Sequence, residues 1–93
     1  MRDTDILAIL KVDLHLSNDA LDATLNALIK QARTAITREG ITLGNNVDDA
    51  MLIEQYAAYL YRQRRENTGM PRYLRWMLNN RLFQQKGEPQ WTI

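Results

Sequence analysis

Apolar residues recur at helical spacing in four stretches of the chain, and the first two predict amphipathic helices. The first stretch is short, runs from Ile6 to Leu10, and follows Thr4, a residue suited to a helix N-cap. Ser17 is the predicted N-cap of the second helix, and Gly40 is its predicted left-handed stop. The second helix carries an apolar stripe: Leu21, Leu25, Leu28, Ile29, Ala32 and Ile36.

The third stretch is apolar around most of the helical circumference. It follows the turn-forming residues Gly44, Asn45 and Asn46, and Asp48 is its predicted N-cap. A helix with so little polar surface must be covered on several sides. It is therefore either the central helix of the domain or a helix partly covered by another copy. Its apolar residues are Met51, Leu52, Ile53, Tyr56, Ala57, Ala58, Tyr59, Leu60 and Tyr61.

Pro71 opens a fourth predicted helix, since proline suits the first turn. At about 100° per residue, Trp76 and Phe83 lie together on one side of this helix, beside Arg72. The opposite side carries the apolar stripe that should face the core: Met70, Tyr73, Leu74, Met77, Leu78 and Leu82.

The helical pattern stops at Lys86. Gly87 and Pro89 then favour an extended segment, which nevertheless contains Trp91 and Ile93. The sequence thus predicts an all-α fold, a small bundle of about four helices with a short extended C-terminal tail. Residues 1–85 form the predicted helical domain and residues 86–93 the predicted tail. No stretch predicts a strand, a repeat or a linker.

The amino-acid composition and the absence of known motifs exclude several kinds of catalytic and metal-binding site. The 93-residue chain has no cysteine and a single histidine, His15, which excludes thiolate chemistry and a multi-histidine metal site. No phosphate-binding loop, dinucleotide fingerprint or nucleophile elbow is present. His15 is expected to be a structural or surface residue of a connector. We therefore predict a protein that is not an enzyme and that has no cofactor and no metal.

The N-terminal region does not look like a targeting segment. Asp3 and Asp5 precede the longest aliphatic run, which spans only residues 6–10 and is too short to cross a bilayer. We expect an intracellular protein, or one released by lysis, with no membrane partner.

Charge is nearly balanced but unevenly placed, with a formal net charge of +1. Arginines concentrate in the second half of the chain, which suits either contact between copies or a face turned toward a polyanion. The run from Arg62 to Arg65 has two interpretations: phosphate contact, or a solvated helix end where cations complement the dipole. The candidate phosphate contacts are Arg62, Arg64, Arg65, Arg72 and Arg75.

Aromatic residues are the other candidates for recognition. Two aromatic residues on one face beside an arginine are typical of interface anchors. The alternative is that the C-terminal tail folds back over Trp76 and Phe83. We predict subunit contacts at Tyr56, Tyr59, Tyr61 and Trp76.

The order and spacing of these segments resemble the head–tail connector (adaptor) proteins of long-tailed bacteriophages and prophages. The resemblance covers roughly residues 4–84 and is carried by the order of ordinary residues rather than by a chemical motif. Its most telling part is the Met70–Pro71 helix start after an arginine-rich helix end. The segments that carry it are residues 6–11, 17–22, 28–32, 52–62, 69–74 and 78–79.

The resemblance implies a structural subunit that assembles as a homo-oligomeric ring of about a dozen copies. The ring would sit beneath the portal, around the DNA channel, with a weak non-specific contact to passing DNA. The implied partners are the portal protein and a stopper or tail-completion protein, and the implied location is the virion neck, after assembly in the host cytoplasm. The C-terminal segment would engage the portal, through Phe83, Trp91 and Ile93.

A second function stays open beside the connector. The arginine-rich second half would also suit a small helical nucleic-acid-binding regulator. The two hypotheses differ in the expected affinity for duplex DNA and in its dependence on salt.

Overall fold

The computed structural model describes residues 2–67 and 69–87, and these fold as four α-helices without a strand. Helix α1 spans Asp3–Asp13, α2 Asp22–Arg38, α3 Val47–Glu66 and α4 Arg72–Lys86. The predicted all-α class and the number of helices are confirmed. Because α4 continues to Lys86, the helical part ends one residue later than predicted.

Helix α3 is the central element. It packs against α1, α2 and α4, and α1 and α2 also pack on each other. Of the two interpretations of its apolar circumference, the central position is therefore the observed one. Three neighbouring helices cover α3, and a second copy is not needed to explain its composition.

The core lies where these helices meet. The stripe of α2 is buried from Leu25 to Ile36, as predicted, although Leu21 is exposed. On α4 only Leu74 and Leu78 are fully buried. Tyr73, predicted to face the core, is exposed because its hydroxyl donates a hydrogen bond to Gln55 on α3 instead.

The three predicted N-caps are wrong: in α1 and α3 a nearby residue makes the stabilising contact, whereas α2 starts later than predicted, after Leu21, without a side-chain cap. Helix α1 begins after Arg2, whose backbone N–H donates to Asp5, so Thr4 lies inside the helix. Residues 18–21 form a bend and a turn, and α2 begins only at Asp22 rather than after Ser17. Helix α3 is capped by Asn46, whose side chain accepts from the backbone N–H of Asp49.

Left-handed residues end the helices or follow their last turn. Gly40 has φ +98°, which confirms the predicted stop after α2. Asn67 ends α3 with φ +50°, and Gly87 ends α4 with φ +77°. After α1 the left-handed residue is His15, with φ +58°, an uncommon conformation for a residue with a Cβ. Pro71 lies at the N-cap of α4, one position before the helix.

The principal extents are 44 × 28 × 20 Å, so the bundle is elongated. Among the residues described, no helix combines the length and apolarity needed to cross a bilayer.

Candidate functional site: the groove between α3 and α4

An open groove separates the first turns of α3 from the middle of α4. Its volume is about 260 Å³, and its apolar surface comes from Met51, Leu52, Trp76 and Met77. Trp76 is 57% exposed, the most exposed aromatic side chain in residues 2–67 and 69–87. We call this surface the Trp76 groove; its polar lining consists of Asp48, Asn80, Arg81 and Gln84.

An ion pair fixes the position of α4 beside the groove. The Arg81 guanidinium donates from Nε to Asp49 Oδ1 at 2.6 Å and from Nη2 to Asp49 Oδ2 at 3.1 Å. Nη2 also donates to the Thr42 carbonyl at 2.9 Å. One side chain of α4 therefore holds both the first turn of α3 and the loop that precedes it.

Asp49 is only 1% exposed, yet its carboxylate is fully surrounded by donors. Besides Arg81, it accepts from the Gly44 backbone N–H at 2.7 Å and from the Asn46 side chain at 3.3 Å. Burial by itself would raise the pKa of Asp49, but the hydrogen bonds from Arg81 and Gly44 outweigh it and hold the pKa below its usual value. The carboxylate is thus a charged structural anchor at neutral pH.

A second buried carboxyl lies further along α3. Glu54 is 1% exposed; its Oε1 accepts from Gln55 at 2.9 Å, while its Oε2 has no partner within the described ranges. Burial, reinforced by the neighbouring Asp13 carboxyl of α1, raises the pKa of Glu54 to about 7. Gln55 also donates to Asp13 at 3.4 Å and accepts from Tyr73 at 2.9 Å, so this polar cluster joins α1, α3 and α4.

The residues predicted to contact other subunits differ in exposure, and one of them lies in the core. Trp76 is exposed, and Tyr59 and Tyr61 are half-buried against the core. Tyr56 is 9% exposed and belongs to the core, where its ring meets that of Tyr59 edge-on at 5.8 Å. A second copy could not cover a ring that its own chain already covers, so Tyr56 is removed from the predicted contact.

The arginines predicted to contact phosphate also fall into two groups, those without an ion pair among the described residues and one with an ion pair. Four arginines are exposed and form no ion pair with residues 2–67 or 69–87: Arg62, Arg64, Arg65 and Arg72. Arg75 differs, because its two terminal nitrogens donate to the Glu39 carboxylate at 3.1 and 3.4 Å. That pair ties α4 to the end of α2, and Arg75 is not available as a free phosphate ligand.

Of the three residues implied in portal docking, the structure describes one. Phe83 is half-buried on α4, seven positions after Trp76 and therefore on the same side of the helix, but it does not line the Trp76 groove. Trp91 and Ile93 lie outside the described residues.

Sequence reasoning missed both buried carboxyls, because acidic residues are usually solvated. A signal was present for Glu54: Ala50 lies four positions before it and Ala58 four after it, which places it on a buried face of α3. No group of three metal-ligating side chains comes together in the part of the chain that the structure describes.

No family model matches the chain, and no curated protein or solved structure matches it either.

Proposed function

We propose that this protein is a structural subunit of a phage head–tail connector, which assembles as a ring beneath the portal around the DNA channel. The observation that carries the proposal is the Trp76 groove. Trp76 lies 57% exposed beside Met51 and Met77, on a bundle whose core is otherwise covered by its own helices. Large aromatic side chains exposed beside other apolar groups are typical of protein interfaces.

The resemblance of residues 4–84 to connector proteins supports the same function, and the all-α fold agrees with it. In this proposal Trp76, Tyr59 and Tyr61 contribute to contacts between copies. Residues 88–93 dock on the portal with Trp91 and Ile93, and Phe83 supports that contact.

A pull-down with a purified phage portal oligomer tests the docking step. We expect the full chain to bind the portal and a chain cut after Lys86 to lose binding while keeping its helical circular-dichroism spectrum. The matched control is Gln90→Ala in the full chain, which alters a polar residue of the same segment and should bind normally. Full-strength binding by the cut chain would reject docking through residues 88–93, and a full chain that ignores the portal would reject the connector.

A nucleic-acid-binding regulator is the second candidate. It is favoured by four exposed arginines that form no ion pair within the described residues: Arg62, Arg64, Arg65 and Arg72. A titration with duplex DNA at two salt concentrations separates the two functions. Tight binding that falls steeply with salt would support the regulator, since each neutralised phosphate releases counterions. A connector subunit should bind the same duplex weakly.

A further inference from the structure

The Trp76 groove combines an apolar wall with one acidic group that lacks a partner in the described part of the chain. Asn80 also lines the groove, but its Oδ1 is buried and closed to an occupant. Asp48 is exposed on the rim and forms no ion pair with those residues. Arg81 also lines the groove, but Asp49 neutralises it. The groove therefore suits an occupant that is apolar along its length and donates hydrogen bonds at its end.

The far end of α3 carries a surface with the complementary character. Leu21, Tyr61, Arg64 and Arg65 surround a shallow hollow of about 220 Å³, and we call this surface the basic patch. Both arginines are exposed and unpaired within residues 2–67 and 69–87. Arginine has an apolar stem and a guanidinium that only donates hydrogen bonds, which matches what the groove lacks.

One copy cannot bring the two surfaces together. Asp48 lies in the first turn of α3 and Arg64 in its last turn. At 1.5 Å per residue, these residues are about 24 Å apart along the helix axis. Each molecule thus presents a groove at one end of its central helix and a basic patch at the other.

We infer that the Trp76 groove receives the basic patch of a second copy, with an arginine stem of that copy, from Arg64 or Arg65, lying against Trp76 and its guanidinium donating to Asp48. This inference rests on the proposed function, for which it supplies the contact between ring subunits. A guanidinium over an indole ring adds a cation–π attraction. The contact is head-to-tail, so a pair of copies keeps one free groove and one free patch for further copies, and a ring forms when the rotation per copy closes.

Two variants, each blocked on one surface, test the contact. The groove-blocked variant carries Asp48→Arg and Trp76→Ala, and the patch-blocked variant carries Arg64→Glu and Arg65→Glu. All four side chains are exposed, so the fold should survive, which circular dichroism verifies. Sedimentation velocity at low salt should show concentration-dependent assembly of the original chain. Each variant alone should associate at least about tenfold more weakly than the original chain, because each places like charges opposite one another in the contact. The groove-blocked variant also loses the Trp76 ring.

The decisive sample is the equimolar mixture of the two variants. One intact groove and one intact patch remain between them, so the mixture should form a one-to-one dimer and nothing larger. A mixture that stays monomeric while the original chain assembles would overturn the inference. So would a blocked variant that still self-associates at full strength, or an original chain that stays monomeric at every concentration.

Disulfide trapping gives an independent readout, because the chain has no cysteine of its own. The pair Gln84→Cys and Arg65→Cys places one thiol on the groove rim and one in the basic patch, and oxidation should link copies into a ladder. The control pair, Gln84→Cys with Arg38→Cys, uses an exposed residue of α2 and should not crosslink. Equal ladders from both pairs would contradict the inference.

The portal pull-down keeps this inference distinguishable from the proposed function. A chain that binds the portal but fails to pair through these surfaces overturns only the subunit contact. A chain that pairs as described but does not bind the portal overturns the connector.

Discussion

At the scale of single residues, Glu54 is the side chain whose charge conflicts most with its surroundings. Its pKa is raised to about 7 from an ordinary value of 4.5. At a pH between 4.5 and 7, folding is therefore accompanied by the uptake of a proton at Glu54. The stability that depends on this proton is fully present below pH 4.5. It is lost as the pH rises through 7, when the buried carboxyl must ionise beside Asp13.

We expect Glu54→Gln to stabilise the protein above pH 7 by about 2 to 3 kcal/mol, because the amide removes the buried charge. The difference should vanish near pH 4.5, where the original carboxyl is protonated. Urea unfolding at pH 4.5, 6 and 8 measures it, and Glu66→Gln, at an exposed position of the same helix, is the control. Parallel pH profiles for Glu54→Gln and the original chain would contradict the assigned pKa.

His15 is a second residue that lowers the stability of the fold, in this case through its backbone conformation. It holds a left-handed backbone, while its N–H donates to the Val12 carbonyl and the N–H of Leu16 donates to the Lys11 carbonyl. This pair of bonds is the Schellman arrangement, in which glycine is the usual left-handed residue. The sequence correctly assigned His15 to the segment that links the first two helices, but no neighbouring residue indicated a positive φ.

His15→Gly should therefore stabilise the fold by about 0.5 to 1 kcal/mol, since glycine adopts this conformation without the steric cost of a Cβ. The matched control is Asn67→Gly, where φ is +50° but asparagine tolerates the left-handed region better. Thermal unfolding of both variants measures the difference. A loss of stability in His15→Gly would show that the imidazole itself makes a contact of greater value.

At the scale of helices, the sequence predicted the elements better than their ends. Apolar spacing located all four helices because burial of one face is what holds each helix in place. The starts were missed because capping depends on competition between neighbours. Asn46 caps α3 by accepting from the backbone N–H of Asp49, so the predicted cap, Asp48, lies inside the helix.

Arg81→Met should cost about 3 to 5 kcal/mol, because it leaves the buried Asp49 carboxylate without its charge partner. Arg75→Met is the control: it removes an exposed ion pair with Glu39 and should cost at most about 1 kcal/mol. Chemical denaturation at pH 7 measures both. Equal losses in the two variants would mean that the Asp49–Arg81 pair holds α4 no better than a surface pair does.

The Asp49–Arg81 ion pair also makes the stability of the protein sensitive to acid. The pKa of Asp49 is lowered relative to its unfolded value of 3.8, so its contribution is present above that value and is lost as the pH falls through the lower, folded value. The original chain should therefore lose stability below about pH 4 in acid titration. Asp49→Asn should show a flatter profile there, and an unchanged profile would contradict the role assigned to this carboxylate.

At the scale of the molecule, the sequence indicated exposed aromatic surface but could not say which rings their own chain covers. Trp76 was correctly placed on the outer side of α4 because that helix has one apolar stripe and a clear opposite face. Tyr56 was misplaced because α3 is apolar on nearly every side, and only the packing of its neighbours decides which faces stay open. The Trp76 groove itself joins residues of two helices, so no single periodic pattern could predict it.

Removing residues 87–93 should leave the bundle intact, since the last core residue, Leu78, and the Arg81 anchor both lie before the cut. We expect the free energy of unfolding to change by less than about 0.5 kcal/mol, as for other changes away from the core. Urea unfolding measures it, and a chain cut after Met77, which lacks Leu78 and Arg81, is the control that should be strongly destabilised. A large loss on removing residues 87–93 would show that they contribute to the fold.

The arrangement of contacts around α3 has a consequence for how the molecule opens. Helices α1, α2 and α3 all touch one another, whereas α4 packs chiefly on α3 and is otherwise held by polar links to residues 39–42. Amide protons of α4 should therefore exchange with deuterated water by partial detachment, before those of the other three helices. In the proposed assembly, the groove contact would then involve the most easily loosened helix, α4, whose position can adjust while the other three helices stay rigid.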